Sequence, residues 1–204
     1  MTSRVLFLLI IGSLFVGSGH AQKKNARISK PVIEATVTVK GEGPPPEKPL
    51  PSEEDPNLWH NFELPEMGIR AQFPSNNGDI LDITTGPVQS LEAFTKTGTY
   101  LLIARKVGTA IDPRSTSNYL EQLASATSAG TLIEKRDIQY AGWAGKHLVF
   151  DSDGKRFFTR MFLVRGNLVI LSVSVRATDF NSGREKWIDK FLDSLALPSN
   201  EHPA

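Results

Sequence analysis

The sequence predicts an α+β domain: an antiparallel sheet of six to seven strands covered by two main helices. Three observations carry that expectation. From Trp59 onward, short runs alternate apolar and polar residues, the period of a half-buried strand. Asp153-Gly154 and Gly166-Asn167 separate three apolar runs by two residues each, the spacing of tight hairpins. Two segments, one after Asp112-Pro113 and one opening at Ser182, space apolar residues three and four apart, as a helix with one buried stripe does.

The elements follow in chain order. Residues 1–21 carry one charge, Arg4, ahead of the apolar run Val5 to Val16 and a small-residue exit at Gly17, Ser18, Gly19, His20 and Ala21. That pattern fits a cleaved secretory signal, and the run is short for a span, which needs about 20 apolar residues. Residues 22–57 read as a flexible linker, with the run Gly43, Pro44, Pro45, Pro46, Glu47, Lys48, Pro49, Leu50, Pro51 at its centre. Inside it, the β-branched alternation of Val32, Ile33, Thr36, Val37, Thr38 and Val39 makes a strand only when paired. A single domain is expected over residues 58–198, with a tail at 199–204. Strands are expected at 61–64, 70–73, 80–84, 88–95, 99–106 and 131–139. A three-strand meander follows at 146–152, 155–164 and 168–175. Along 155–164, Phe157, Met161 and Leu163 fall on one face and Phe158, Phe162 and Val164 on the other, so both faces are expected to be covered. In the next strand Val169, Leu171, Val173 and Val175 share a face, opposite Ser172 and Ser174. The first covering helix presents Tyr119, Leu120, Leu123 and Ala124 and stops at Gly130. The second opens on a Ser182 to Glu185 capping box and places Trp187, Phe191 and Leu195 beside Ile188 and Leu192, all as core positions.

Composition narrows the function. Removing residues 1–21 takes Arg4 from the 23 basic residues, which leaves 22 to balance 22 acidic ones. A balanced chain with scattered cations has no long-range field for nucleic acid or an anionic membrane. Cys is absent, so there is no disulfide, no thiol nucleophile and no lipid-bearing cysteine. Stability rests on a hydrophobic core, and a domain of roughly 140 residues buries some two-thirds of its unfolded surface.

The phrase Phe62, Glu63, Leu64, Pro65, Glu66, Met67, Gly68, Ile69, Arg70, Ala71, Gln72, Phe73, Pro74 resembles the opening of the PsbP-like fold, shared with a Ran-release factor and with small secreted bacterial domains of unknown function. The resemblance continues through Gly142, Trp143, Ala144, Gly145 and Lys146, similar to the family's Gly-x-x-Gly turn, then Arg160 to Val175, and the closing Phe191, Leu192, Asp193, Ser194, Leu195. It implies an antiparallel sheet sandwiched by helices. Family members do unrelated jobs, so no functional residue carries over.

Chemistry is sparse. His60 and His147 are the histidines within the domain, and neither has the carboxylate spacing of a triad or a zinc set. Asp151, Asp153 and Gly154 suit a hairpin turn better than a calcium loop, because Lys155 and Arg156 follow where further ligands belong. Ser172 and Ser174, read as exposed, lack a Gly-x-Ser-x-Gly setting. No catalytic, cofactor-binding or metal-ligating residue is assigned, and no cofactor is expected. Lys155, Arg156 and Arg160 beside Phe157 and Phe158, together with Trp143 in its turn, form the candidate partner-binding set. The alternative for the cluster is core aromatics with cations along a strand end.

The expected function is an exported, non-enzymatic module that binds a secreted protein or envelope component in the periplasm or outside the cell. Neither nucleic acid nor a membrane anchor takes part, and the chain acts as a monomer. A second reading is a carrier of a small apolar ligand in a cavity lined by Phe158, Phe162, Phe191 and Leu195. A third is a hydrolase in which His60 or His147 meets a carboxylate. On these readings, denaturant unfolding of Phe162→Ala shows a loss of about 3–5 kcal/mol, whereas Trp143→Ala barely changes stability as an exposed contact.

Overall fold

The computed structural model describes residues 50–76, 80–85, 87–107, 113–127 and 130–199, which belong to a compact unit that begins at Leu50. The expected signal, the linker as far as Pro49 and the tail from residue 200 lie outside the described residues. Among the described residues, nine strands and two α-helices follow in order: β1 (Trp59–Leu64), β2 (Ile69–Pro74), β3 (Ile80–Thr85), β4 (Val88–Phe94), β5 (Gly98–Lys106), α1 (Pro113–Thr127), β6 (Thr131–Tyr140), β7 (Trp143–Ser152), β8 (Lys155–Val164), β9 (Asn167–Arg176) and α2 (Ser182–Asp193). Short 3₁₀ turns precede β1 at Pro56–Leu58 and α2 at Ala177–Asp179.

The α+β class is as expected, but the strands divide between two sheets. β1 and β2 form a separate ribbon, and the other seven form one antiparallel sheet in the order β3-β4-β5-β9-β8-β7-β6. Each half of that sheet is a meander, and the halves meet where β5 pairs with β9 from Gly98↔Val175 to Lys106↔Asn167. After β5 the chain crosses by way of α1 to the far edge, β6, and returns strand by strand to the centre.

The returning half has four strands rather than the expected three. Each of its three turns places two successive residues at positive φ: Ala141 and Gly142 at 49° and 80°, Asp153 and Gly154 at 50° and 72°, Arg165 and Gly166 at 49° and 77°. Two left-handed residues are the signature of a type I′ turn, whose twist matches that of the flanking strands. The last turn therefore lies one residue before the expected Gly166-Asn167, because the hairpin puts its glycine second. Gly142-x-x-Gly145 is not a single turn either. Gly142 ends the turn, while Gly145 sits within β7 opposite Phe162.

The sheet is buried on both faces at its centre. On one face Leu91, Tyr100, Leu102, Val149, Phe158, Phe162, Val169, Leu171 and Val173 pack with Leu64, Ile69 and Phe73 of the ribbon and with Ile188, Phe191, Leu192 and Leu195. The other face is covered by α1, which packs on β7 and β8 and buries Leu120, Leu123 and Ala124. Ser172, expected to be exposed, is buried there and shares a 2.8 Å hydrogen bond with Thr159, its partner across the β8–β9 ladder. Lys146 ties the same layer together: its ammonium lies 2.7 Å from Glu121 of α1 and 2.6 Å from Asp137 of β6. Hydrogen bonds from Lys135 and Lys146 hold the Glu121 carboxyl down at about 2.

Helix α2 starts one residue before the expected box. Asn181, in extended conformation, is the N-cap and accepts from the Arg184 amide, which leaves Ser182 as the first helical residue. The helix also stops short of Leu195. Its C-cap Ser194 donates to the Phe191 carbonyl at 2.6 Å and accepts from the Gln72 amide at 2.8 Å. Ala196 then pairs with Arg70, so the chain beyond α2 is stitched to β2.

A Cβ at Gly145 would stand 2.5 Å from the Phe162 ring and 2.7 Å from the Met161 carbonyl. Gly145→Ala is expected to lose about 1–3 kcal/mol in urea unfolding, through overpacking. Combined with Phe162→Leu the loss should be less than additive, because the two side chains compete for one space.

Candidate functional site

The structure does not assemble the expected binding set. Lys155 stands on the α1 face of β8, whereas Arg156 and Arg160 alternate onto the α2 face. Trp143 shares that face but lies beside Val164, eight residues along the ladder from Arg156, or about 27 Å. Each of these three α2-face residues has an internal task. Arg156 clamps Asp151, directly opposite it, through two bonds of 2.8 and 2.9 Å, and its guanidinium lies 5.2 Å from the centre of the Phe180 ring. The Arg156 hydrogen bonds hold the Asp151 carboxyl below its usual range. Arg160 donates to the Leu192 carbonyl at 3.0 Å and to Asp193 at 2.7 Å, so a cation closes the C-terminal end of α2. Trp143 is half-buried against the core rather than exposed, and its indole N–H donates to the Pro198 carbonyl at 2.7 Å. Phe157 and Phe158 are buried, as the core alternative requires.

The residues proposed to line a ligand cavity are core. Phe158, Phe162, Phe191 and Leu195 are all buried, and the Phe191 ring meets Phe73 at 5.1 Å and Tyr100 at 5.2 Å. A cleft of about 450 Å³ lies elsewhere, between the β1–β2 turn at Pro65, Met67 and Gly68 and the β8–β9 turn at Arg165. His60 Nε2 and His147 Nδ1 are enclosed and have no hydrogen-bond partner. Among the described residues, no group of three or more His, Cys, Asp or Glu is placed to hold a metal ion.

A different constellation does form, from residues far apart in the chain. Glu53, inside the expected linker, is buried, and its carboxylate accepts hydrogen bonds from the hydroxyls of Thr95, Thr97 and Tyr100, the last at 3.3 Å. Burial, followed by the Glu53 charge and hydrogen bond, raises the Tyr100 pKa, so its hydroxyl remains a donor at ordinary pH. The backbone of the same segment adds two bonds: Pro51 O accepts from the Lys96 amide, and Glu53 O accepts from the Trp59 indole at 3.0 Å. Folded structure therefore begins several residues before the expected boundary at 58, because hydroxyl donors from the β4–β5 turn and β5 compensate the desolvation of Glu53.

With Trp59 held from below, its ring stacks on Trp187 of α2, centroids 6.2 Å apart and planes at 26°. Trp187 is thus half-buried at the surface instead of being a core residue. Lysines from the same helix cover the pair: Lys190 Nζ is 4.3 Å from the Trp59 ring centre and 5.7 Å from that of Trp187, and Lys186 Nζ is 4.5 Å from Trp187. The sequence signal was a lone tryptophan at each end of the domain, and spacing along the chain does not reveal that the two meet.

Three outcomes test this geometry. Trp143→Ala should cost about 2 kcal/mol, from packing plus the Pro198 bond, and Trp143→Phe about half of that. Glu53→Ala should destabilise by about 1–3 kcal/mol and abolish the exciton signal of the stacked indoles in circular dichroism. Burial holds the His147 imidazole below its ordinary range, with Arg136 and Arg160 pushing the same way and Glu134 opposing. The unfolded chain therefore takes up that proton first, so stability is full above about pH 6.5 and declines as pH falls toward the folded value. Urea midpoints at about pH 8 and pH 5.5 should differ less in His147→Gln than in the parent chain.

No known protein family is matched by the chain, and no curated protein matches it in sequence. Among solved structures the chain is similar to the cyanobacterial PsbP of Synechocystis, with 12% identity over 69% of this chain and 93% of that one, and a TM-score of 0.48. It is similar to a Pseudomonas aeruginosa protein of unknown function described as a putative regulator, with 13% identity over 72% of this chain and 99% of that one, at a TM-score of 0.41. A Bacteroides thetaiotaomicron protein shows 15% identity over 67% of this chain at a TM-score of 0.37, and the chain spans 47% of its length. The α+β class rests on the sheet order and the covering layers themselves.

Proposed function

We propose that this chain is an exported, non-enzymatic module that binds another protein or envelope component through the face built by Trp59 and Trp187. On this reading residues 1–21 are a cleaved signal, the proline-rich stretch up to Pro49 is a tether, and the domain works as a monomer without nucleic acid or a lasting membrane anchor. The observation that carries the proposal is the stacked, half-buried indole pair with lysines lying over it. Aromatic rings left at a surface with fixed cations are the composition of an interface centre, where tryptophan and arginine or lysine stems exclude water from a contact. The residues first expected to bind support this indirectly. Arg156 and Arg160 are tied to Asp151, Leu192 and Asp193, whereas Lys186 and Lys190 over the indole pair have no ion-pair partner among the described residues.

A photoreactive amino acid at position 186 tests it. In native envelope preparations the expected result is a discrete crosslinked product that Trp187→Ala removes, while a photoreactive residue at Glu92, on the opposite face of the sheet, gives none. Crosslinks at position 92 and none at 186 would move the interface away from this face.

A further inference from the structure

We propose that the Trp59–Trp187 face takes an acidic segment of a protein partner, one whose carboxylates repeat every 6 to 7 Å. The inference rests on the reading of that face as the binding surface and adds the chemistry of what it binds.

Charge is the first ground. Lys186, Lys190 and Arg184 all belong to α2, and among the described residues none of the three has a carboxylate within ion-pair distance. By contrast Lys146 pairs with Glu121 and Asp137, Arg156 with Asp151, and Arg160 with Asp193. Arg184 adds an enclosed Nη1 that has no hydrogen-bond partner. Its charge is felt at the Tyr100 hydroxyl, and the Tyr100 ring meets Trp59 at 6.0 Å, which places Arg184 at the same end of the molecule. Lys186 and Lys190 stand four residues apart on one helix, where like charges repel. The indole contacts offset part of that repulsion, and an incoming carboxylate pair would relieve the rest.

Position is the second ground. Each ammonium is pinned over an indole, Lys186 over Trp187 at 4.5 Å and Lys190 over Trp59 at 4.3 Å. Fixed cations lose little side-chain freedom when an anion arrives. The Cα positions of Lys186 and Lys190 are four residues apart, about 6 Å along the helix axis. Carboxylates recur at about that distance at i, i+4 of a helix, and at about 6.8 Å at i, i+2 of an extended strand.

The same geometry disfavours the other anionic occupants. A sugar would need a free indole face, but Trp59 and Trp187 stack on each other and each has a lysine ammonium over its ring. A lipid surface would need one sign of charge over a broad area, but Glu185, Asp189 and Asp193 run along the same helix. Those carboxylates, with burial acting first, already hold the Asp189 pKa up.

Fluorescence anisotropy on the full chain tests the proposal with labelled peptides of alternating serine and glutamate, and of alternating serine and glutamine. The glutamate peptide should bind, weaken as salt rises, and lose about tenfold or more in affinity to Lys186→Glu/Lys190→Glu. A Lys106→Glu control, far along β5 from the face, should leave binding unchanged. Equal binding of the glutamine peptide, or equal binding by the charge-reversed variant, overturns the acidic reading. Absence of glutamate-peptide binding overturns it too, as does binding of vesicles of anionic phospholipid or of a polyuronate in its place. Crosslinks from position 186 that persist while the peptide fails to bind would sink the acidic chemistry alone; loss of those crosslinks would sink the interface reading itself.

Discussion

Tyr100 is the residue on which the rest of the architecture turns. Its ring, buried near the start of β5, stands edge-on to Phe191 of α2 at 5.2 Å and to Trp59 at 6.0 Å, while its hydroxyl reaches the buried Glu53 carboxylate. One side chain thus joins the central sheet, the second helix, the entry to β1 and the segment ahead of it. The phenol is suited to that position because its body is apolar and its single polar atom has a partner. A phenylalanine in its place would fill the same volume and leave Glu53 with two hydroxyls instead of three.

The candidate face is a consequence of that junction. Glu53 fixes Trp59 from below through its own carbonyl, and α2 brings Trp187 against it, so the indole pair exists only once the sheet, the helix and the leading segment are all in place. A surface assembled in this way is rigid, since its rings rest on core residues and its cations rest on its rings. Rigidity of this kind reduces the ordering penalty of binding.

Elements whose signals are local were legible in the sequence. Asp153-Gly154 marks its hairpin outright, and the alternation through Lys155–Val164 correctly assigns Phe158, Phe162 and Val164 to one layer. Arg165-Gly166 was displaced by one residue because a type I′ turn places glycine second, and an arginine at positive φ has no composition signal. Glu53 was invisible for a different reason. A charged residue among prolines looks solvated, and its burial depends on hydroxyls some forty residues downstream. Trp143 and Trp187 exchanged roles: one turned out to be an inner brace and the other half of a surface stack, because long-range packing decides exposure for large aromatic residues and local spacing does not. Arg156 and Arg160 had the right chemistry for recognition, but Asp151 and the end of α2 had taken it.

The seam between β5 and β9 has a meaning in time as well as in space. The returning half of the sheet is built from neighbours in sequence joined by two-residue turns, whereas the seam joins residues about 60 to 80 apart. Loop-closure entropy therefore favours the β6–β9 hairpins forming first and the seam closing onto a template that is already twisted. Since β9 is the last strand of the sheet in chain order, the first half has no central neighbour until every other strand has been made. Until then β5, with Leu102, Ile103 and Ala104 destined for the interior, shows an open apolar edge. For this topology, the vulnerable species is a chain that stops short of β9.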